Sequence, residues 1–389
     1  MIGPRAERQS YRGHWYKYST NGWGILDFMD FCEAAEFEYV PTFGMHETPK
    51  DMADFVRYAT AAIDTEWGKK RSRDGHPQPY QLKYLQLGNE ERVDEAYADT
   101  FARLADAIWA IDKNIQLIVG DFVYEELITD PSRIRRSASG ITNLEGQRKV
   151  LQFAKERNQE VWFDVHVWTG GPRPNQSFDA FFTYIDALES LADGAKFKVL
   201  TFEFNANNHD QRRAIANALA INAIERDGRV PIATSANCLQ PVGQNDNGWD
   251  QGLVFLSPSQ VWMQPPGYVT QMYSDNYGPM LVECSVAQDE QAEQDLDCNA
   301  KLSGDGASLV LNIVNVSAKP KSAVLQIAGF ILSSDEADVI ELSGELDAAN
   351  TETNPTTVSP QCRNWEHGLA KGSTSFTFKP NSVTTIVLK

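Results

Sequence analysis

The sequence predicts an α/β barrel followed by an antiparallel β-sandwich, and three observations carry that prediction. Between about residues 25 and 236, short β-branched or aromatic runs alternate with longer segments of helical periodicity, as the βα units of a parallel sheet do. No run leads into a GxGxxG turn, the device that lets backbone approach a pyrophosphate, so a barrel is favoured over a dinucleotide-binding fold. After about residue 280 the texture becomes apolar–polar alternation broken by Gly, Pro, Asn and Asp, which is the pattern of sandwich strands. The expected division is a catalytic barrel over 1–280 and a sandwich over 281–389.

Six runs read as barrel strands: FEYVPTFG (37–44), KYLQLGNE (83–90), IQLIVGDF (115–122), VWFDVHVW (161–168), FKVLTFEFN (197–205) and RVPIATSA (229–236). Each is short and mostly continuous, as a strand buried on both faces requires. Thr48-Pro49-Lys50-Asp51 is an N-cap with proline at the first helical position, followed by Met52, Phe55, Val56, Ala59 and Ile63 on one face. Tyr97, Phe101, Leu104 and Ile108, and later Ala214, Ala218, Ile221 and Ile224, repeat that spacing and form stripes that pack on the sheet. The sandwich strands are expected at 308–317, 322–330, 337–344, 374–380 and 382–389, the last pinning the carboxyl terminus in a sheet.

Composition narrows the class of function. The 389 residues exceed what one simple core needs, and 42% hydrophobic with 23% charged residues is ordinary for a folded globular chain. A formal charge of −18 repels phosphate backbones and anionic lipid, so neither nucleic acid nor a membrane is expected as a partner. The first twenty residues contain no apolar leader segment, which leaves the compartment open and leans the reading towards the cytoplasm. Five cysteines, Cys32, Cys238, Cys284, Cys298 and Cys362, show no CxxC spacing. One pair among the last three has the chance to meet across a sheet, although free thiols are the simpler reading. His46, His76 and His209 lack the spacing of a metal site, and no cofactor is expected.

In a barrel the active site is built at the carboxyl ends of the strands. Those ends carry Glu90, Asp121, His166 with Trp168, and Glu203. Two carboxylates from strands three units apart suit glycoside hydrolysis, in which one protonates the leaving oxygen while the other attacks or activates water. Asp121 and His46-Glu47 show nothing that separates them from supporting or solvated groups. Trp15, Trp23, Trp249 and Trp262 lie in Gly-, Asn- and Pro-containing segments where rings can stack on sugars or anchor loops. Trp249, in the long segment 237–255, is the preferred stacking candidate.

The segments IGPR, TNGWGILDFMDFCEAAEFEYVP, DGHPQPYQLKYLQLGNE, FDVHVW and FEFN resemble glycoside hydrolase family 51, which holds α-L-arabinofuranosidases and some endo-β-1,4-glucanases and xylanases. The resemblance implies an eight-stranded TIM-type barrel with strands 1 and 2 missing from this chain, a retaining mechanism, Glu90 as acid/base and Glu203 as nucleophile. It also implies that Asn89 contacts the sugar 2-hydroxyl and that His166 orients the nucleophile's surroundings. Trp168, Asn205 and Trp249 complete the expected substrate-binding set. Trp168 stands where many arabinofuranosidases have tyrosine, and FEFN replaces their more usual DEWN. The implied substrate is a plant cell-wall oligo- or polysaccharide bearing arabinofuranosyl groups. The same likeness leaves two alternatives, an endo-acting glucanase or xylanase and a non-catalytic carbohydrate-binding fragment. A homo-oligomer is compatible with either.

Overall fold

Seven strands form one parallel sheet in a computed structural model that describes residues 5–12, 18–171, 173, 176–243, 248–287 and 295–389. They are β1 (Thr42–Phe43), β2 (Tyr84–Leu87), β3 (Gln116–Gly120), β4 (Glu160–Asp164), β5 (Val167–Trp168), β6 (Lys196–Asn205) and β7 (Ala233–Ser235). The order is β1-β2-β3-β4-β6-β5, with β7 also on β6. All six runs read from the sequence supply strands, and the run 161–168 supplies two. Its first part, β4, pairs with Lys196–Leu200 of β6, and its last two residues pair with Phe204 and Asn205. This is the (β/α) barrel architecture. Among the described residues β1 is hydrogen-bonded to β2 alone and β7 to β6 alone.

The first run is shorter than expected. Only Thr42 and Phe43 enter the ladder, because Pro41 has no N–H to give, and Phe37 stays 61% exposed. Helix α1 (Ile25–Ala34) precedes β1, and helices α2 (Pro49–Thr60), α3 (Glu66–Arg73), α4 (Glu95–Trp109), α5 (Glu145–Glu156) and α6 (Asp179–Leu191) connect the strands. Thr48 caps α2 as expected: its hydroxyl accepts from Asp51 N at 3.2 Å while its own N donates to the Asp51 carboxylate at 3.3 Å. Ile63 is not on that helix; α2 ends at Thr60 and Ile63 is exposed. Phe55, Val56, Phe101, Leu104 and Ile108 bury the expected stripes.

The chain divides into two compact units, Met1–His166 with Asp179–Leu200, and Val167–Phe178 with Thr201–Lys389. In the second, α7 (Gln211–Asp227) begins at Asp210, whose side chain accepts from Arg213 N, and ends at Gly228, where φ of 77° favours glycine. The segment 237–255 is not a plain loop. It contributes β8 (Leu239–Pro241) and β9 (Val254–Leu256), which form a three-stranded sheet with β10 (Val261–Met263). Helix α8 (Pro265–Asp275) follows.

The carboxyl-terminal strands are β11 (Met280–Val282), β12 (Leu296–Leu302), β13 (Leu309–Asn315), β14 (Lys321–Leu325), β15 (Glu336–Ser343), β16 (Gln361–Glu366), β17 (Thr374–Phe378) and β18 (Ser382–Leu388). Six make an antiparallel sheet in the order β11-β12-β13-β18-β15-β16, and β14 pairs with β17. One face of the large sheet packs Leu311, Ile313, Val339 and Ile386 with Phe376 and Phe378 of β17. The opposite face packs Val314, Leu342 and Val383 against Ala214, Ala218, Val269 and Met272 of α7 and α8. The polar members of the central strands β13 and β18 are therefore buried rather than solvated. Asn312 accepts from Thr385 at 2.9 Å, and the Lys301 ammonium pairs with Glu225 at 2.7 Å. Among the described residues no helix is long and apolar enough to cross a membrane.

Strand β18 lies between β13 and β15, so its loss strips both of their shared partner. A chain ending at residue 381 is expected to lose the cooperative unfolding transition of this unit, read by circular dichroism on heating.

Candidate active site

Glu90 is held by a turn that two glycines permit. Beyond β2, Gly88 takes φ of 83° and Glu90 takes φ of 53°, a left-handed backbone that costs a non-glycine residue about 1–3 kcal/mol and persists only where the surroundings over-determine it. They do so here. Gly88 N donates to Phe43 O at 2.7 Å, and Glu91 N donates to Gly120 O at 2.9 Å. A Cβ on Gly120 would lie 2.1 Å from Gly88 O, so β3 and the turn approach as closely as backbone allows.

The side chains close a circuit around that turn. The Glu90 carboxyl, 30% exposed, meets Nδ1 of the fully buried His166 ring at 3.0 Å. Nε2 of His166 meets Asp164 Oδ2 at 3.3 Å. Gln86 Nε2 donates to that same Asp164 oxygen and to Gly88 O, each at 3.2 Å. The chain of bonds thus returns to the turn that carries Glu90. Trp162 and Asp164 share one face of β4 by period-two alternation, and His166 lies just beyond the strand's end. Each ring nitrogen of His166 thus faces one carboxyl group, and the tautomer decides which of the two receives the ring hydrogen.

Asp121 is buried and accepts from Phe122 N, Tyr124 Oη, Tyr184 Oη and Gln147 Nε2 at 2.8–3.2 Å. Burial pushes its carboxyl above the ordinary aspartate value. It is a supporting group. Burial likewise raises the Glu91 carboxyl. Asn89 is exposed on the turn.

In the second unit Glu203 is half-buried on β6, followed by the buried Phe204 and Asn205. The carboxyl ends of β6 and β7 are gripped by Arg213, whose guanidinium is fully buried. It donates to Phe204 O at 3.0 Å, to Asn208 O at 3.2 Å, and to the carbonyls of Gln251 and Ala236. Burial lowers its pKa to about 9. Gln251 accepts from Ala206 N and donates to Asn237 Oδ1, both at 3.0 Å. Trp168, 40% exposed, stands 6.2 Å from the half-buried Trp249 with their planes 30° apart. Thr169 N donates to Asn205 O at 2.7 Å, which ties the Trp168 segment to β6. A Cβ on Gly170 would strike the Trp168 ring at 2.8 Å. His209 Nδ1 lies 2.9 Å from the Asp250 carboxylate, and this close approach is the main reason the Asp250 carboxyl is held below its ordinary value.

The site residues expected from the sequence thus fall in two groups, Glu90 with His166 on one unit and Trp168, Asn205 and Trp249 around the Glu203 strand on the other. Trp262 is not a stacking residue: it is buried and its indole N–H donates to Asn350 O. Trp23 is 56% exposed, and Trp15 lies outside the described residues. Sequence reasoning passed over Gln86, Asp164, Arg213 and Gln251. The first two carried a signal, a polar residue inside an otherwise apolar strand run.

Comparison with known proteins adds two family models in tandem. The α-L-arabinofuranosidase 1 domain matches residues 1–184 and the α-L-arabinofuranosidase C-terminal domain matches residues 195–382. The chain is 23% identical to α-L-arabinofuranosidase A of Aspergillus niger, over 97% of this chain and 56% of that protein. It is also 23% identical to the extracellular exo-α-L-arabinofuranosidase of Streptomyces chartreusis, over 72% and 33%. The chain therefore spans about half the length, or less, of these relatives. The GH51 α-L-arabinofuranosidase from Thermotoga petrophila superposes with a TM-score of 0.78 at 19% identity, covering 100% of this chain and 83% of that one.

Two outcomes test this geometry. Gly120→Ala drives a methyl group into Gly88 O and should lower stability by about 1–3 kcal/mol in urea unfolding. Asp250 supplies stability above the ordinary aspartate pKa of about 3.9 and loses it as pH falls through its lowered folded value. Asp250→Asn should therefore lower Tm at pH 7, with the gap closing as the pH falls below that range in a pH series of thermal melts.

Proposed function

The chain belongs to glycoside hydrolase family 51, and from that premise we propose that it removes α-L-arabinofuranosyl groups from plant cell-wall glycans by a retaining, double-displacement mechanism. The observation that carries the reading is the position of two glutamates at the carboxyl ends of parallel strands, Glu90 after β2 and Glu203 on β6, within a chain matched nearly end to end by two arabinofuranosidase family models. In this reading residues 1–280 carry the chemistry and residues 281–389 the supporting sandwich.

In the first step a Glu203 oxygen attacks the anomeric carbon, the bond to the leaving oxygen breaks, and Glu90 gives that oxygen its proton. In the second, Glu90 takes a proton from water, the hydroxide attacks the same carbon from the opposite face, and the Glu203 carboxylate leaves. His166 serves Glu90. Its Nδ1 faces the Glu90 carboxyl and its other nitrogen is held by Asp164, so the ring orients the acid and accepts its hydrogen bond while the acid is protonated. Trp168 and Trp249 offer ring faces to a sugar, and Asn89 and Asn205 offer amides for hydroxyl contacts. The exo-acting reading rests on the similarity to the Streptomyces enzyme.

The experiment is hydrolysis of a nitrophenyl α-L-arabinofuranoside beside carboxymethylcellulose and xylan. Release of arabinose from the first substrate alone supports the assignment, and cleavage of either polymer backbone redirects it to the endo-acting members. Glu90→Ala should lower turnover of substrates with poor leaving groups by roughly 10²–10⁴-fold and be rescued by azide with formation of an azido-sugar. Glu203→Gln should form no covalent sugar–enzyme adduct detectable by mass spectrometry and should not be rescued in that way.

A further inference from the structure

The register of the sandwich edge places two cysteines face to face. Strands β11 and β12 pair Met280 with Leu302, Leu281 with Lys301 and Val282 with Ala300. Two residues further in the same register, Cys284 stands opposite Cys298, and their sulfurs lie 2.7 Å apart. Period-two alternation puts both side chains on the face that carries Val282, Leu296 and Ala300, where they pack half-buried against the sandwich core. Directly opposed residues of an antiparallel pair have the Cβ separation from which a disulfide closes with the least backbone movement.

We propose that Cys284 and Cys298 form a cross-strand disulfide, a thiol–disulfide modification site that ties the edge strand β11 to β12. The other cysteines do not compete for it. Cys362 sits on β16 at the far edge of the sheet, four strands from β12 and so about 19 Å away at the usual strand spacing. Cys32 lies on α1 and Cys238 is exposed next to β8. Either sulfur can be the donor in the contact they share, so either can be the first to attack.

The oxidant is a low-molecular-weight disulfide. The thiolate of one cysteine of the pair attacks one of its sulfurs and expels a thiolate, and the other cysteine then gives up its proton and attacks the bonded Sγ in the mixed disulfide, expelling the second. The protein loses two protons and two electrons, and the oxidant becomes two thiols. The bond closes a chain separation of fourteen residues, short enough to remove a moderate amount of unfolded-state entropy.

The test equilibrates the 389-residue chain with oxidised glutathione, blocks remaining thiols under denaturing conditions, and maps the peptides without reduction. The expected result is one cross-linked peptide pair joining Cys284 to Cys298, alkylation of Cys32, Cys238 and Cys362, and a Tm on the order of 5–10 °C above that of the dithiothreitol-treated protein. The Tm of the Cys284→Ser and Cys298→Ser variants should be indifferent to dithiothreitol. Five alkylated cysteines after oxidation, a stable glutathione adduct on Cys284 or Cys298, or a bond from either residue to a different cysteine would overturn the proposal. A redox-dependent Tm that persists in both serine variants would do so as well.

Discussion

Strand β6 is the element on which the parallel sheet depends. Its ten residues pair with β4 along the first half and with β5 and β7 along the second, so one continuous strand sets the register of three others. Because side chains alternate with period two, that register also decides which residues point inwards, and a slip by one would turn Glu203 to the other face. The length of β6 therefore fixes the face on which Glu203 stands. The other barrel strands contribute two to five residues each, and they can be short because βα crossovers and helix packing hold them from outside.

Around this frame the chain buries a large number of polar groups, and several of them are joined in connected sets of hydrogen bonds. The circuit of Glu90, His166, Asp164 and Gln86 returns to the backbone of the turn from which it starts, and it adds to the backbone bonds of Gly88 and Glu91 that hold that turn. Arg213 does the corresponding work near the ends of β6 and β7, where one guanidinium collects the carbonyls of Phe204 and Ala236 together with those of Asn208 and Gln251. Desolvating a cation is costly, and several charge-assisted hydrogen bonds to dipoles offset that cost. The sandwich repeats the solution. Glu225 of α7 receives both Lys301 and Asn299 of β12, and Asn222 reaches Asp297 on the same strand.

These sets show why the sequence alone misplaces some residues. A polar residue in an alternating strand is read as solvated because water is the default partner, yet Asn312, Thr384 and Thr385 are fully buried. Nothing in the local pattern announces that α7 and α8 will cover that face. Trp262 and Trp249 sit in similar Gly- and Pro-containing surroundings and cannot be told apart by composition. The packing of Phe255 and the carbonyl of Asn350 make the first an anchor, while the second stays half-open beside Trp168.

What the sequence by itself determined was whatever rests on periodicity and local chemistry. The six parallel strands, the Thr48 cap, the stripes of α4 and α7, the sandwich strands that include β18, and the candidacy of Glu90 and Glu203 at strand ends all follow from spacing between near neighbours. What only the tertiary structure decided was pairing over long separations. His166 finding Glu90 across seventy-six residues, Gln86 finding Asp164 across seventy-eight, and Arg213 finding the carbonyl of Gln251 are set by strand order and register. So is the choice of Cys298, rather than Cys362, as the neighbour of Cys284. The physical reason is that hydrogen bonds and thiol contacts are short-ranged and act on whatever the fold brings within about 3 Å, whereas hydrophobic periodicity is written residue by residue along the chain.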